Sequence, residues 1–418
     1  MAVEQIKSYL AGLDFSWDFA QLPASAYLVG GSVRDAILHR YKTPFDLDFT
    51  LPQKSVATAK KIANTYRAGF VVLDSEREIA RVVFPQGTLD FARQEGGNLK
   101  TDLKRRDFTI NAIAYNIASQ QLVDPFGGIA DLEQRVLRMV CVTNLEYDPL
   151  RLLRAYRQAA QLDFTIEEKT KKAIGDRVSL LSTVAAERVH SELNYIFTAT
   201  KGDRWLIAAI ENGLLDFWLP NIKLDNIEQL NCLEPAIQLC SNLGLALSEL
   251  SILSKLATLV STEPSAAEIE LTKLKYSRSQ IRAVVKTVQN LPHLQTMTNP
   301  MSLREQYFWF LEVKDIFPVL MARAIATGVK LELLKPLIER YLDSTDLVAH
   351  PKPLVTGNDL IRELNLKPSS LIGTLLTEIQ VAQIESKIST PQQALDFAVA
   401  ILTRSSTTEV NENCSSSY

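Results

Sequence analysis

Asp46 and Asp48 lie in the stretch Phe45-Asp46-Leu47-Asp48-Phe49, where acidic and apolar residues alternate. A period of two is the mark of a half-buried strand, so both carboxylates point to one face and the apolar residues to the other. Two carboxylates that close repel each other unless a cation lies between them. Mg²⁺ carrying a triphosphate is the natural occupant. Just upstream, Tyr27-Leu28-Val29 runs into Gly30-Gly31-Ser32-Val33-Arg34-Asp35. A strand that enters a Gly-Gly turn and then a helix lets bare backbone approach a phosphate and offers it unpaired N–H groups. Arg34, one turn into that helix, reaches the same phosphates. A Gly-Gly turn or an acidic pair alone is common and carries no function; their conjunction points to metal-assisted chemistry on a polyphosphate.

These groups need a scaffold. Short strands are expected at Tyr27–Val29, Phe45–Phe49, Gly69–Leu73, Ala80–Phe84 and Thr88–Ala92, with a helix over Lys60–Tyr66. That is an α+β unit ending near residue 140. Beyond Asp148 the pattern turns helical and leucine-rich to about residue 403, and the polar, serine-rich end reads as a disordered tail. The expected divisions are a catalytic head over 1–140, a helical neck over 141–225, a helical body and tail over 226–403, and the disordered end over 404–418.

The whole chain limits the alternatives. In 418 residues, 46% hydrophobic and 22% charged, there is ample material for a globular core. A net charge of −3 argues against a protein that coats RNA non-specifically, yet allows a local basic site. Neither a signal peptide nor a membrane span is expected. Cys141, Cys232, Cys240 and Cys414 have no metal or disulfide spacing, which fits reduced thiols in a cytoplasm.

Three further runs stand out. Arg105-Arg106-Asp107-Phe108-Thr109-Ile110-Asn111-Ala112, taken by itself, reads as an exposed basic patch at a helix start. Asp148-Pro149-Leu150-Arg151-Leu152-Leu153-Arg154-Ala155-Tyr156-Arg157 opens a helix at Pro149, where Asp148 is either an N-cap or a partner of Arg151 one turn on. The arginines recur at steps of three and so spiral round the helix. Ala186-Glu187-Arg188-Val189-His190-Ser191-Glu192-Leu193 is the third run, and its His190 reads as a packed or capping residue.

Taken together, these residues resemble the polymerase-beta-type nucleotidyltransferase superfamily, and in particular the bacterial class II tRNA nucleotidyltransferase and poly(A) polymerase family. The resemblance is specific over residues 26–196 and diffuse from there to about 403. It implies a polymerase-beta-like head with a small mixed sheet, followed by an all-α neck, body and tail. It also implies two Mg²⁺ ions on Asp46 and Asp48. Asp90, in Leu89-Asp90-Phe91, fits the family's third carboxylate or is a solvated strand residue. Gly30, Gly31, Arg34 and Arg106 would bind nucleotide phosphates, and Asp107 and Asn111 would order the loop and the sugar site. Asp124-Pro125-Phe126-Gly127-Gly128 resembles the loop that links head to neck. Asp148 and Arg151 would serve as an amino-acid template, with Arg154 and Arg157 holding the triphosphate or orienting that pair. Glu187 and Arg188 would hold the neck helices. Leu354-Val355-Thr356-Gly357-Asn358-Asp359-Leu360 resembles a C-terminal module that grips the tRNA elbow.

The chemistry of the template pair is specific. A carboxylate accepts from the exocyclic amine of C or A, and a guanidinium donates to C N3/O2 or A N1; U and G leave polar groups unmatched. The expected partners are the tRNA acceptor end and elbow, with CTP and ATP as substrates. Two features bear on the subgroup. The family usually has Glu where this chain has Tyr147, with Glu146 one residue earlier. Only Ala92 to Lys104 separates the third-carboxylate strand from Arg105, whereas CCA-adding members have a flexible loop there. A CC-adding enzyme is therefore expected, with a separate A-adding enzyme completing the tail. The alternatives are a complete CCA-adding enzyme, an A-adding enzyme or a poly(A) polymerase, and, in another class, a non-catalytic RNA-binding protein. The four histidines include no His-Asp pair, so no phosphohydrolase activity is expected.

Overall fold

The computed structural model describes residues 1–14, 17–41, 43–245 and 249–414, without the side chains of 224 and 404–414. Two compact units emerge. One comprises residues 1–220 with Lys273–Lys275, and the other the rest of the chain from Asn221.

The first unit opens with α1 (Ala2–Ala11) and builds a seven-stranded mixed sheet. Its strands are β1 (Tyr27–Val29), β2 (Phe45–Leu51), β3 (Gly69–Asp74), β4 (Ile79–Phe84), β5 (Gly87–Arg93), β6 (Ala114–Asn116) and β7 (Gln121–Val123). They lie in the order β3-β4-β5-β2-β1-β6-β7, and only the β2–β5 pair is parallel. The helices α2 (Gly31–Ile37), α3 (Ser55–Tyr66) and α4 (Leu99–Lys104) lie between strands of the sheet, and α5 (Gly128–Gln134) follows β7.

Strand β2 shows why the fold displays its acids. Phe45, Leu47, Phe49 and Leu51 are all buried, and Phe49 stacks on Phe91 with ring centroids 5.3 Å apart. Each such burial stabilises by ~1.5–3 kcal/mol. A register slip of one residue would drive both aspartates into that core, so the apolar face fixes the acidic one.

Helices then take over. After the short strand β8 (Val136–Leu137) come α6 (Val142–Tyr147), α7 (Leu150–Leu162), the short strand β9 (Thr165–Ile166), α8 (Glu168–Gly175), α9 (Ala186–Thr198) and α10 (Gly202–Glu211). Leu152, Leu153, Ala155, Tyr156 and Ala159 bury one side of α7, and Val189, Leu193 and Ile196 bury one side of α9.

The second unit is helical, from α11 (Leu224–Asn242) through α12 (Leu250–Leu259), α13 (Pro264–Lys273), α14 (Arg278–Gln295), α15 (Leu303–Val313), α16 (Phe317–Ala326) and α17 (Leu331–Leu342) to α18 (Gly357–Leu364), α19 (Ser370–Ile384) and α20 (Pro391–Cys414). In the Leu354–Leu360 stretch, Thr356 and Asp359 form a reciprocal capping box at the start of α18. The backbone of α20 continues to Cys414, through most of the end expected as a tail from 404, and residues 415–418 lie outside the described residues. Among the described residues no helix is long and apolar enough to cross a membrane. Cys141, Cys232 and Cys240 are free thiols.

Candidate active site

The head places its chemistry through backbone register. Antiparallel pairing sets Val29, the residue before the Gly-Gly turn, opposite Asp48. Parallel pairing sets Asp46 beside Thr88 and Asp48 beside Asp90. Thr88 Oγ1 donates to Asp46 Oδ1 at 2.6 Å. Ser32 ties the two motifs together. Its hydroxyl donates to the Asp46 carbonyl and accepts from the Asp48 N–H, each at 3.1 Å. Gly30 has φ +72°, and a Cβ there would stand 2.8 Å from Arg106 Nη1. The positive φ favours glycine, whereas the close contact is with the movable end of the Arg106 side chain.

Asp48 is half-buried, and its carboxyl is pushed up to about 7 by burial and then by the charge of Asp46. Uncompensated carboxylates of this kind fit a divalent cation, which would supply the missing positive charge. Asp90 sits in line with them, but both of its oxygens accept from Arg81, Nε and Nη2, at 2.7 Å. No group of three or more His, Cys, Asp or Glu residues able to hold a metal occurs among the described residues. The chain's own donors are thus the Asp46 and Asp48 pair. Mg²⁺ characteristically takes one or two protein carboxylates and completes its shell with water and substrate phosphates, so the residues present fit it.

A cavity of about 370 Å³ opens beside Asp48. It is lined by Gly30, Gly31, Arg34, Asp48, Arg105, Arg106, Asp107, Asn111, Arg151, Arg154, Arg157 and Gln158. Six arginines against two aspartates suit a strongly anionic guest. The helical steps of three were expected to carry Arg151, Arg154 and Arg157 round α7, yet all three line this cavity. Each step turns back by about 60°, so the three span only about a third of the circumference, within the reach of long side chains.

Side-chain networks hold these groups. Arg34 donates to Asp35 Oδ1 at 2.9 Å and to Asn111 Oδ1 at 2.8 Å. Asn111 Nδ2 donates to Asp107 Oδ1 at 2.9 Å and to Gln158 Oε1 at 3.0 Å. Burial works against the charge of Asp107, but Arg154 at 3.7 Å and the Asn111 hydrogen bond hold its carboxyl below the usual range. Buried Glu192 accepts from Arg154 Nε at 3.3 Å and from Arg157 Nε.

The Asp148 and Arg151 pair lies at the neck end. Asp148 makes no side-chain cap on α7; its Oδ2 instead accepts from Arg188 at 3.0 Å and lies 3.9 Å from Arg151 Nε. Asp148 Oδ1 and Arg151 Nε are buried without a hydrogen-bond partner among the described residues. Burial pulls the Arg151 guanidinium down from its usual range. Glu146 pairs with Arg177 at 2.8 Å, and Tyr147 is 77% exposed, so neither supports Arg151. Of the expected site residues, Asp46, Asp90 and Asp148 stand beside the cavity lining rather than in it. Of the two neck residues expected to hold the helices, Arg188 reaches Asp148 and Glu187 is exposed.

Arg81, Asp102, Asn144 and Gln158 lie outside the motifs, and Ser32 and Glu192 lie inside them without a role assigned from sequence. Asp102 left a trace, because it precedes Arg105 and Arg106 by three and four residues, the spacing of helical ion pairs, and it is fully buried against both. Arg81 left none, because its partner is set by strand pairing.

Comparisons with known proteins bear on the family and the fold. The family model for the Poly A polymerase head domain matches residues 26–138. Models for an RNA and SrmB-binding site of polymerase A and for tRNA nucleotidyltransferase domain 2 match 163–225 and 247–398. A CC-adding tRNA nucleotidyltransferase of Synechocystis sp. is 47% identical over 405 residues, spanning 94% of this chain and 97% of that protein. An A-adding tRNA nucleotidyltransferase of Deinococcus radiodurans is 29% identical, over 90% of this chain and 95% of that one. A Thermotoga maritima CCA-adding enzyme complexed with tRNA superposes with a TM-score of 0.71 at 22% identity, covering 90% of this chain and 91% of that chain, which shows a shared fold.

Proposed function

The chain belongs to the poly(A) polymerase and tRNA nucleotidyltransferase family, and from that premise we propose that it is a CC-adding enzyme, using CTP to extend tRNA that lacks its 3′ end. The observation that carries this reading is the pairing of an arginine-lined cavity beside Asp46 and Asp48 with an unmatched acceptor and donor on Asp148 and Arg151. The 47% identity to a relative named as CC-adding supports the subgroup.

In this reading the RNA 3′-hydroxyl attacks the α-phosphate of CTP in line, the bond to the β-phosphate bridging oxygen breaks, and pyrophosphate leaves. Asp46 and Asp48 would hold two Mg²⁺ ions, which when bound lower the pKa of the hydroxyl and neutralise charge on the leaving group. Asp90, clamped by Arg81, sets the strand face beside them. Gly30 and Gly31 let the phosphates approach the backbone, and Arg34, Arg106, Arg154 and Arg157 neutralise them. Asp107 and Asn111 fix the loop against the sugar. Asp148 accepts from the cytosine amine, and Arg151 donates to N3 and O2.

The segment before Arg105 supports the CC reading. It contains a short 3₁₀ turn and α4, capped by Asn98, whose Oδ1 accepts from the Thr101 N–H at 2.9 Å. The separate enzyme that would supply the final A is part of the same proposal. The test offers tRNA ending at the discriminator base with each labelled nucleoside triphosphate singly. Label entering from CTP, with none from ATP on a second tRNA ending at CC, is the expected result; ATP label on the CC-ended tRNA without CTP label on the first would make this an A-adding enzyme, and both together a complete CCA-adding enzyme.

A further inference from the structure

Resting on that reading, we propose that Asn144 is a positioning residue for base selection: it caps the end of α4 and thereby fixes the carbonyl on which the Arg151 guanidinium is seated. The last carbonyls of a helix have no partner within it and must find one elsewhere. Here the partners come from the neck. Asn144 Nδ2 donates to the Lys104 carbonyl at 2.8 Å and to the Arg106 carbonyl at 2.7 Å. The carbonyl between them, that of Arg105, accepts from Arg151 Nη1 at 2.7 Å. Two neck side chains thus take three consecutive head carbonyls.

The opposite side of the segment is held as firmly. Fully buried Asp102 accepts from Arg105 Nε and Nη2 at 3.0 and 2.9 Å and from the Glu95 N–H at 3.2 Å. Arg151 has little else to set it. Asp148 is 3.9 Å away, too far for a hydrogen bond. The neighbouring position is Tyr147, and Glu146 is engaged by Arg177. The guanidinium that reads the base is therefore located by one hydrogen bond to a main-chain oxygen, and Asn144 clasps the residues on both sides of that oxygen.

Removing the clasp should act on selection before chemistry, because Asn144 touches none of Asp46, Asp48 or Asp90. Asn144→Asp keeps the size but turns an acceptor toward two carbonyls; Asn144→Ala leaves both unpaired. The experiment measures kcat/KM for CTP and for UTP on tRNA ending at the discriminator base, with Mg²⁺, in the full chain. Both variants are expected to lose about tenfold in the CTP-over-UTP ratio, the scale of one lost hydrogen bond to a charged group. Thermal melts identify the folded variants, and either one alone suffices. An equal loss of rate for both nucleotides, with the ratio unchanged, would assign Asn144 a merely structural role and overturn the proposal. Failure of the wild-type chain to add C would instead overturn the functional reading, and this proposal with it.

Discussion

The two walls of the cavity are built on different principles. On the head wall, Asp48 and Gly30, with Asp46 beside them, are placed by main-chain pairing, and the apolar face of β2 locks that register. On the neck wall, Arg151, Arg154 and Arg157 are placed by other side chains and by one carbonyl, through Glu192, Asp107 and Arg105. The head wall cannot move an acid without breaking a strand. The neck wall can turn a guanidinium at the cost of a hydrogen bond. Main-chain register fixes the reacting atoms, and a few side-chain hydrogen bonds hold the base-reading pair in one setting.

The sharpest way to break the contrast is to strike each wall once. Asp48→Ala should lower turnover at least ~10³-fold for every nucleotide while the fold stays intact, because it removes one of two acidic groups at the reacting atoms. Pyrophosphate release with CTP and, separately, UTP measures this, and near-normal turnover would remove Asp48 from the site. Arg151→Ala should act differently. Chemistry survives, and discrimination for C over U falls about 10–100-fold, as expected when a guest's polar edge is left unmatched. Equal losses for both nucleotides would erase the distinction between the walls.

A smaller effect sharpens the head side. The Asp48 carboxyl lies at about 7, above its unfolded range, because burial and Asp46 penalise its charge. Without metal its contribution to stability is full below about pH 4 and is lost as pH rises through 7. Asp48→Asn should therefore melt higher than the wild type at pH 8 in the presence of a chelator, with the gap closing toward pH 4. A melting curve at each pH reads this, and a constant gap would mean that Asp48 is not strained by its charge.

The same contrast explains what could be read from the residues alone. The alternation of β2 and the Gly-Gly turn are local patterns, and the strands expected at Tyr27–Val29, Phe45–Phe49, Ala80–Phe84 and Thr88–Ala92 appear as β1, β2, β4 and β5. Arg81 and Asn144 are set by partners nine and thirty-eight to forty residues away, so no short motif exposes them, and the role of Glu192, inside the 186–193 run, is set by arginines thirty-five to thirty-eight residues back. Of the two readings of Asp148, N-cap or partner of Arg151, the cap does not form, for a related reason. Arg188, forty residues on, claims one carboxylate oxygen. The arginines of α7 were read as diverging because helix geometry fixes Cβ directions but leaves out the reach of the side chain.

The most direct test of the central claim is extension at single-nucleotide resolution. Three tRNA transcripts, ending at the discriminator base, at C and at CC, would receive CTP and ATP together with Mg²⁺. A base-reading pair held in one setting predicts growth of the first two to CC and no growth of the third. Growth of all three to CCA would contradict a fixed pair, because the same residues would then have to read A after reading C.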